Sequence, residues 1–340
     1  MKQLAENTWI QQIGEGLSDC IGSSKPSHRK FSFVHICNPF QAEPQQREIQ
    51  EVAFASMKQA RSFKNGKGDI TPEVQFLAAV FSEDEAYALT HFDRTTLLKR
   101  STQDLQRFKN QRNLPLLFDV LAGAENVNAD YVVFTNVDIC LVPHFYLSVE
   151  TLLNFGYDSL IINRRTLLGW PSDPQLINLM ALDPGDAHEG YDCFVFPRHF
   201  LKALVKGNLA IGTGGVMQGL IFNMVALSKR MLILEDVHLT WHLGDDKLWA
   251  KTDLLEYTQH NWQENMRILK VLAKSLPDRF IRFSKNFHKS RVDIIADQGG
   301  AIRIQRKANS KYNFPNTSDL ELINKELKKS GQFDCMKNVS

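Results

Sequence analysis

The chain has 340 residues, 43% of them hydrophobic and 23% charged, with 40 Lys and Arg set against 38 Asp and Glu. This is the composition of a globular protein with a sizeable core, and no apolar run is long enough to span a bilayer. The start, Met1 to Glu6, lacks the basic-then-apolar order of a secretory signal, so a cytoplasmic location is expected, and no nucleic-acid partner.

In chain order, residues 1–30 form a short extension that closes in a linker composition, Gly22 to Lys30. The β-branched and aromatic run Phe31–Cys37, stopped by Asn38-Pro39, predicts a buried first strand ending in a loop. After Pro44, Ile49, Val52, Ala53, Ser56 and Met57 recur at helical spacing. A turn is expected at Lys64–Gly68 and a second strand at Val74–Phe81. Pro115 falls near the start of a helix with Leu114, Leu117, Phe118, Leu121 and Ala122 on its apolar face. The run Asp130–Thr135 then reads as a central strand, followed by a helix from Pro143 and a strand at Ser159–Ile162. Such alternation predicts an α/β fold with a mostly parallel central sheet flanked by helices.

Past Asn261, the residues Trp262, Met266, Leu269, Ala273 and Leu276 predict an amphipathic helix, and Gln298–Ser340 is polar with two adjacent glycines. The division is therefore residues 1–30, a domain at 31–261, and a basic helical and irregular C-terminal extension at 262–340. From Trp262 onward there are 16 Lys and Arg against 8 Asp and Glu. That segment reads either as a solvated face or as a peripheral contact for anionic lipid headgroups or phosphates. The five cysteines, Cys20, Cys37, Cys140, Cys193 and Cys335, are scattered without a CxxC pair. Buried free thiols are expected rather than disulfides or a metal cluster.

The chemistry concentrates where the Asp130–Thr135 strand delivers Asn136, Val137 and Asp138 to its carboxyl end, the edge at which open α/β sheets bind ligands. Residues i and i+2 of an extended chain face the same way, so Asn136 and Asp138 are expected to share one ligand. A carboxylate there suits Mg²⁺ or Mn²⁺ bridging to a diphosphate. Further on, Glu235-Asp236 precedes His238 and His242, then Gly244-Asp245-Asp246. On a helix the two histidines would share a face as zinc pairs do, but Val237, Leu239, Trp241 and Leu243 alternate as a strand does.

Taken in order, these segments resemble the GT-A glycosyltransferases, with N-x-D at 136–138 standing where that family carries its metal-binding DxD. Gly190–Arg198 resembles a G-x-D-x-F-x-F-P-R segment of GT-A-like families, and Gly207–Gly219 their glycine-rich loop before a helix at Leu220–Ser228. The resemblance implies a nucleotide-sugar-binding domain over 31–261 that moves a sugar from a nucleoside diphosphate sugar to an acceptor hydroxyl. That acceptor is a glycan, a lipid-linked glycan or a small molecule.

It further implies that Asp138 and His242 hold Mn²⁺ or Mg²⁺, with His238 and His260 behind. Asn38, Pro39, Phe40, Arg112, Asn136, Val137, Asp138, Gly214 and Gly215 would contact the donor. Asp192, then Asp236 or Asp245, are the candidate bases. Asp192 has a second reading as a partner of Arg198, and Arg164 and Arg165 read equally as phosphate or acceptor ligands and as surface charges. An Asn in place of the first Asp, and no acid at the start of the 220–228 helix, leave a catalytically inactive GT-A-like binding module as the alternative. A nucleotidyltransferase ranks below both, because the loop at Cys37–Phe40 has no glycine-rich basic signature.

Overall fold

A computed structural model describes residues 29–64, 72–105, 107–235, 237–244, 252–276 and 301–304 of the chain. The first strand, β1 (Ser32–Cys37), is buried along almost its whole length. It pairs in parallel with β2 (Glu73–Val80) on one side and β4 (Tyr131–Thr135) on the other. Strands covered on both faces read as continuous apolar runs, which is why these three are legible in the sequence. Between β1 and β2 lies α1 (Pro44–Ser62), with proline in its first turn and Ile49, Val52, Ala53, Ser56 and Met57 buried as their spacing requires. A short α2 (Glu85–Ala88) leads to the edge strand β3 (Arg94–Leu97), which pairs with β2.

The later strands add on the far side of β4. After α3 (Leu117–Ala122), β4, the two-residue β5 (Cys140–Leu141) and α4 (Phe145–Asn154), β6 (Ser159–Leu167) extends five residues beyond the run expected for it. A short α5 (Ile177–Met180) precedes β7 (Asp186–Pro197), which runs antiparallel between β4 and β6. Then come α6 (Gln218–Leu227), β8 (Met231–Leu234), β9 (Thr240–Leu243) and the long α7 (Leu255–Ser275). Residues Ala301–Ile304 form β10, parallel to β8. The main sheet order is β10-β8-β6-β7-β4-β1-β2-β3, so the architecture is α/β with a mostly parallel sheet.

Alternation along β1 sorts the core. Phe33 and His35 face α4 through Tyr146, whereas Ile36 faces Gly123 at the end of α3. Cys37, Cys140 and Cys193 are buried free thiols, as their apolar settings imply. The helix expected after Asn261 begins earlier, at Leu255, and its buried stripe is Tyr257, Asn261, Asn265, Ile268, Leu269, Leu272 and Ala273. Trp262 stands 37% exposed. Leu269 and Ala273 are shared with the expected stripe, whereas Trp262, Met266 and Leu276 are not, because the buried face runs on through Asn261 and Asn265. Residues 1–28 and 305–340, most of the basic tail, and nearly all of the Lys64–Gly68 turn lie outside the described residues. Among the described residues no helix is long and apolar enough to cross a membrane.

One buried polar group carries a pH signature. His35 is fully buried with its ring nitrogens on Tyr146 Oη at 2.7 Å and Thr135 Oγ1 at 2.9 Å. Burial lowers its pKa to about 3. Below an unfolded-state value near 6.5 the unfolded chain therefore takes up a proton that the folded chain refuses. Stability is full above that value and falls as the pH drops toward 3. The His35 contribution to that loss should be about 2 kcal/mol between roughly pH 7 and pH 5. Urea melts at both values should show that much less pH dependence in His35→Gln than in the wild type; equal slopes would assign the acid sensitivity to other groups.

Candidate functional site

The site is assembled by sheet register. β4 stops at Thr135, and the chain turns at once, with the Ile139 amide donating to the Asn136 carbonyl at 3.3 Å. Directly after that turn, β5 pairs antiparallel with β9, Cys140 opposite Trp241 and Leu141 opposite Thr240. Continuing this register backwards along β5 and forwards along β9 sets Ile139 opposite His242, and Asp138, one residue before, lies against that histidine. Their separation is 3.3 Å, from Asp138 Oδ2 to His242 Nε2. β9 also runs parallel to β6, Thr166 opposite His242. The histidines thus sit on a turn and a strand, and the helical zinc-pair geometry does not arise.

Across the sheet, β7 brings the second carboxylate. Thr135 pairs with Cys193, so the next residues, Asn136 and Asp192, meet just beyond the end of β4. The Asn136 amide donates to Asp192 Oδ1 at 3.0 Å. On the β6 side the register jumps from Ile162–Cys193 to Asn163–Tyr191, leaving Asp192 as the extra residue of a bulge, a device that re-aims side chains beside functional sites. Arg164 Nη1 lies 3.3 Å from Asp192 Oδ2, and its Nη2 is 3.1 Å from His188 Nε2. The Arg164 side chain is only 9% exposed, which removes the surface-charge reading. Asp192 pairs with Arg164 and not with Arg198, whose guanidinium instead donates to the Ala129 and Glu125 carbonyls at 2.8 Å each.

Charge around the turn is ordered. For Asp138, burial pushes its pKa upward, but the hydrogen bond and charge of His242, with the charge of Arg164, bring it below the usual carboxylate range. Burial opposes the charged His242, yet the hydrogen bond and charge of Asp138 outweigh it and raise the imidazole above its ordinary value. The other ring nitrogen, Nδ1, meets the Gly244 carbonyl at 2.9 Å. That bond keeps the Nδ1 proton in place when the ring is neutral and leaves the Nε2 lone pair directed at Asp138. Gly244 supplies the carbonyl from a left-handed conformation, φ 78°, which favours glycine. Burial, and then the charge of Arg165, lowers the pKa of His238 below its ordinary value.

A divalent cation fits this corner chemically. Asp138 Oδ1 is buried without a hydrogen-bond partner, and deprotonated His242 offers a lone pair beside the same carboxylate. Oxygen and imidazole donors both suit Mn²⁺, and carboxylate suits Mg²⁺. Among the described residues no group of three His, Cys, Asp or Glu side chains converges, so this pair would leave the remaining positions to ligand oxygens and water.

Polar contacts link Asp138 with His242, and separately link Asn136, Asp192, Arg164 and His188. The other expected site residues have their partners elsewhere. Asn38 donates to the Ala79 carbonyl at 2.5 Å, Pro39 is buried, and Phe40 stands 39% exposed at the end of β1. Val137 packs against the core. Arg112 is ion-paired with Asp253 just before α7. The Gly214 amide donates to Thr258 Oγ1 at 3.2 Å and the Gly215 carbonyl accepts from Asn265 at 2.7 Å, so this loop is fastened to α7. His260 meets the Asn208 carbonyl at 2.7 Å and not the Asp138 corner. Asp236 and Asp245 lie outside the described residues. The sequence does not single out His188, and it names Glu235 only beside Asp236 without a role; Glu235 follows β8 and accepts from Tyr191 Oη at 2.5 Å with both residues buried. The apolar run into Glu235 was its only signal.

Neither a family model nor a curated protein matches the chain. Among solved structures it is similar to S. aureus TarS 1–349 in complex with UDP-GlcNAc, at 11% identity and TM-score 0.44 over 75% of this chain and 74% of that one. It is similar also to S. aureus TarS at 10% identity and TM-score 0.44, covering 76% of this chain and 44% of that one. For a further S. aureus TarS 1–349 structure the values are 11% and 0.39, over 83% and 98%.

Proposed function

We propose that the chain is a glycosyltransferase that moves a sugar from a nucleoside diphosphate sugar to an acceptor hydroxyl with help from a divalent cation. The observation that carries this reading is the Asp138–His242 pair at the carboxyl edge of a mostly parallel sheet, with a buried, unpartnered carboxylate oxygen. Asp138 and His242 would hold Mn²⁺ or Mg²⁺, which on binding would supply Lewis-acid neutralisation of the leaving diphosphate. Arg164, buried against Asp192 and near enough for its charge to lower the Asp138 pKa, adds a fixed positive charge at the same edge. Asp192 would take the proton of an acceptor hydroxyl, with its Oδ1 held by the Asn136 amide. A catalytically inactive binding module is the second reading, favoured by the ion pair that already engages Asp192 with Arg164.

Hydrolysis of a panel of nucleotide sugars, with and without Mn²⁺, separates the two: an active site leaks sugar to water and a binding module leaves the donor intact. Absence of any nucleotide binding would overturn both. The metal corner also predicts a proton release. Because His242 is raised above its ordinary pKa by Asp138, the cation must displace its proton. Mn²⁺ affinity should therefore rise with pH by up to about tenfold per unit until His242 is neutral. Calorimetry in buffers of different ionisation enthalpy reads the released proton directly, and affinity flat with pH would remove His242 from the ligand set.

A further inference from the structure

We infer that Asn136 is not a second metal ligand but the positioning residue for Asp192, and that its amide is matched to that carboxylate. The inference rests on the reading of Asp138–His242 as the metal corner. An extended chain would turn residues 136 and 138 to one ligand. Here the strand ends at Thr135 and the 136–139 turn sends the two side chains to different partners. Asp138 goes to His242, whereas Asn136 donates to Asp192 Oδ1 at 3.0 Å.

Asp192 needs a donor there. It is the unpaired residue of the β6–β7 bulge, its side chain is 13% exposed, and its Oδ2 has no hydrogen bond, only Arg164 Nη1 at 3.3 Å. A carboxylate at position 136 would set two acceptors against each other at hydrogen-bond distance with no proton between them. Like charges so placed repel, and Arg164 would face both. An amide at 136 instead fixes one oxygen of Asp192 and leaves the other directed toward Arg164 and the open edge. The amide, and not a carboxylate, is therefore the functional residue at this position.

The test uses the full chain with Mn²⁺ alone as the probe, together with thermal melts. Asn136→Ala should keep Mn²⁺ affinity within about twofold of wild type, whereas Asp138→Ala abolishes it. Asn136→Asp should lower the melting temperature, and the swapped pair Asn136→Asp with Asp192→Asn should restore most of it, because the donor then sits on residue 192. A tenfold loss of Mn²⁺ affinity in Asn136→Ala, or a tenfold gain in Asn136→Asp, would make residue 136 a ligand and overturn the inference. Failure of the swap to restore the melting temperature would overturn it equally. If the wild type itself binds no Mn²⁺, the metal reading falls, and the swap alone then decides the Asn136–Asp192 pairing.

Discussion

Asp138→Ala should abolish the Mn²⁺-dependent rise in melting temperature and lower metal-dependent donor turnover by at least about a hundredfold. Changes to groups that merely support metal ligands cost 10- to 100-fold, and Asp138 supplies the carboxylate itself. In the wild type, a ligand at a hundred times its dissociation constant adds about 2.7 kcal/mol of stability, which the melt of a chain this size registers as a shift of several degrees. Asp138→Asn is the sharper variant, since it keeps the shape of the turn and removes only the charge. It also deprives His242 of the carboxylate that keeps its imidazolium favourable, so the histidine should lose its proton at a lower pH than in the wild type. Nuclear magnetic resonance of the imidazole protons would report that change without any donor present. A metal-dependent shift that survives Asp138→Asn would place the cation elsewhere.

The largest loss of stability is expected from Asn261→Ala. This side chain is fully buried on α7; its Oδ1 accepts from the Ala210 amide at 2.8 Å. Its Nδ2 is shared among the Ala210 carbonyl at 3.0 Å, Thr213 Oγ1 at 2.7 Å and the Gly214 carbonyl at 3.1 Å. Truncation leaves several buried polar atoms without partners, each costing about 1–3 kcal/mol. A total of roughly 3–5 kcal/mol, or about 10 °C in melting temperature, follows. The same change frees the glycine-rich loop, so nucleotide affinity should fall even where the protein remains folded. Asn261→Asp keeps the acceptor for the Ala210 amide but sets a buried carboxylate oxygen against the Ala210 and Gly214 carbonyls, and should cost at least as much as the alanine. A loss below about 1 kcal/mol in Asn261→Ala would mean that the loop holds its shape without α7.

What the sequence disclosed follows from which forces leave a local mark. The strands β1, β2 and β4 were legible because burial on both faces writes an uninterrupted apolar run, and α1 because half-burial writes a period. The direction of β7 is not legible: Cys193–Phe196 is an apolar run whichever way it points, and only pairing with β4 and β6 fixes it. The Asp138–His242 pair is what the resemblance implies, and the β5–β9 pairing, with Ile139 in register with His242, brings Asp138 within reach of the histidine. Asn136 was expected beside Asp138 on the assumption of an extended chain, whereas the turn at 136–139 depends on β5 finding β9 a hundred residues further on. In the sequence Arg164 reads equally as ligand and as surface charge, because an Arg at a strand end looks the same in both cases. Its burial comes from a bulge that no local residue pattern announces. Likewise α7 hid its clasp, since buried asparagines count as polar in any periodicity.

The antiparallel β7 has a consequence for how the chain is made. Strands β1 to β4 leave the ribosome in an order that lets them pair with one another at once. The next long strand, β6, finds no place among them, because its neighbours in the sheet, β7, β8 and β9, are all still to be synthesised. Until residues 186–197 emerge, the free side of β4 is an apolar edge at what will become the middle of the sheet, open to pairing with another nascent chain. Products terminated before β7 should therefore be chaperone clients and aggregate when released, while products ending just after it should not. The strand that carries Asp192 into the site is also the one that closes this gap.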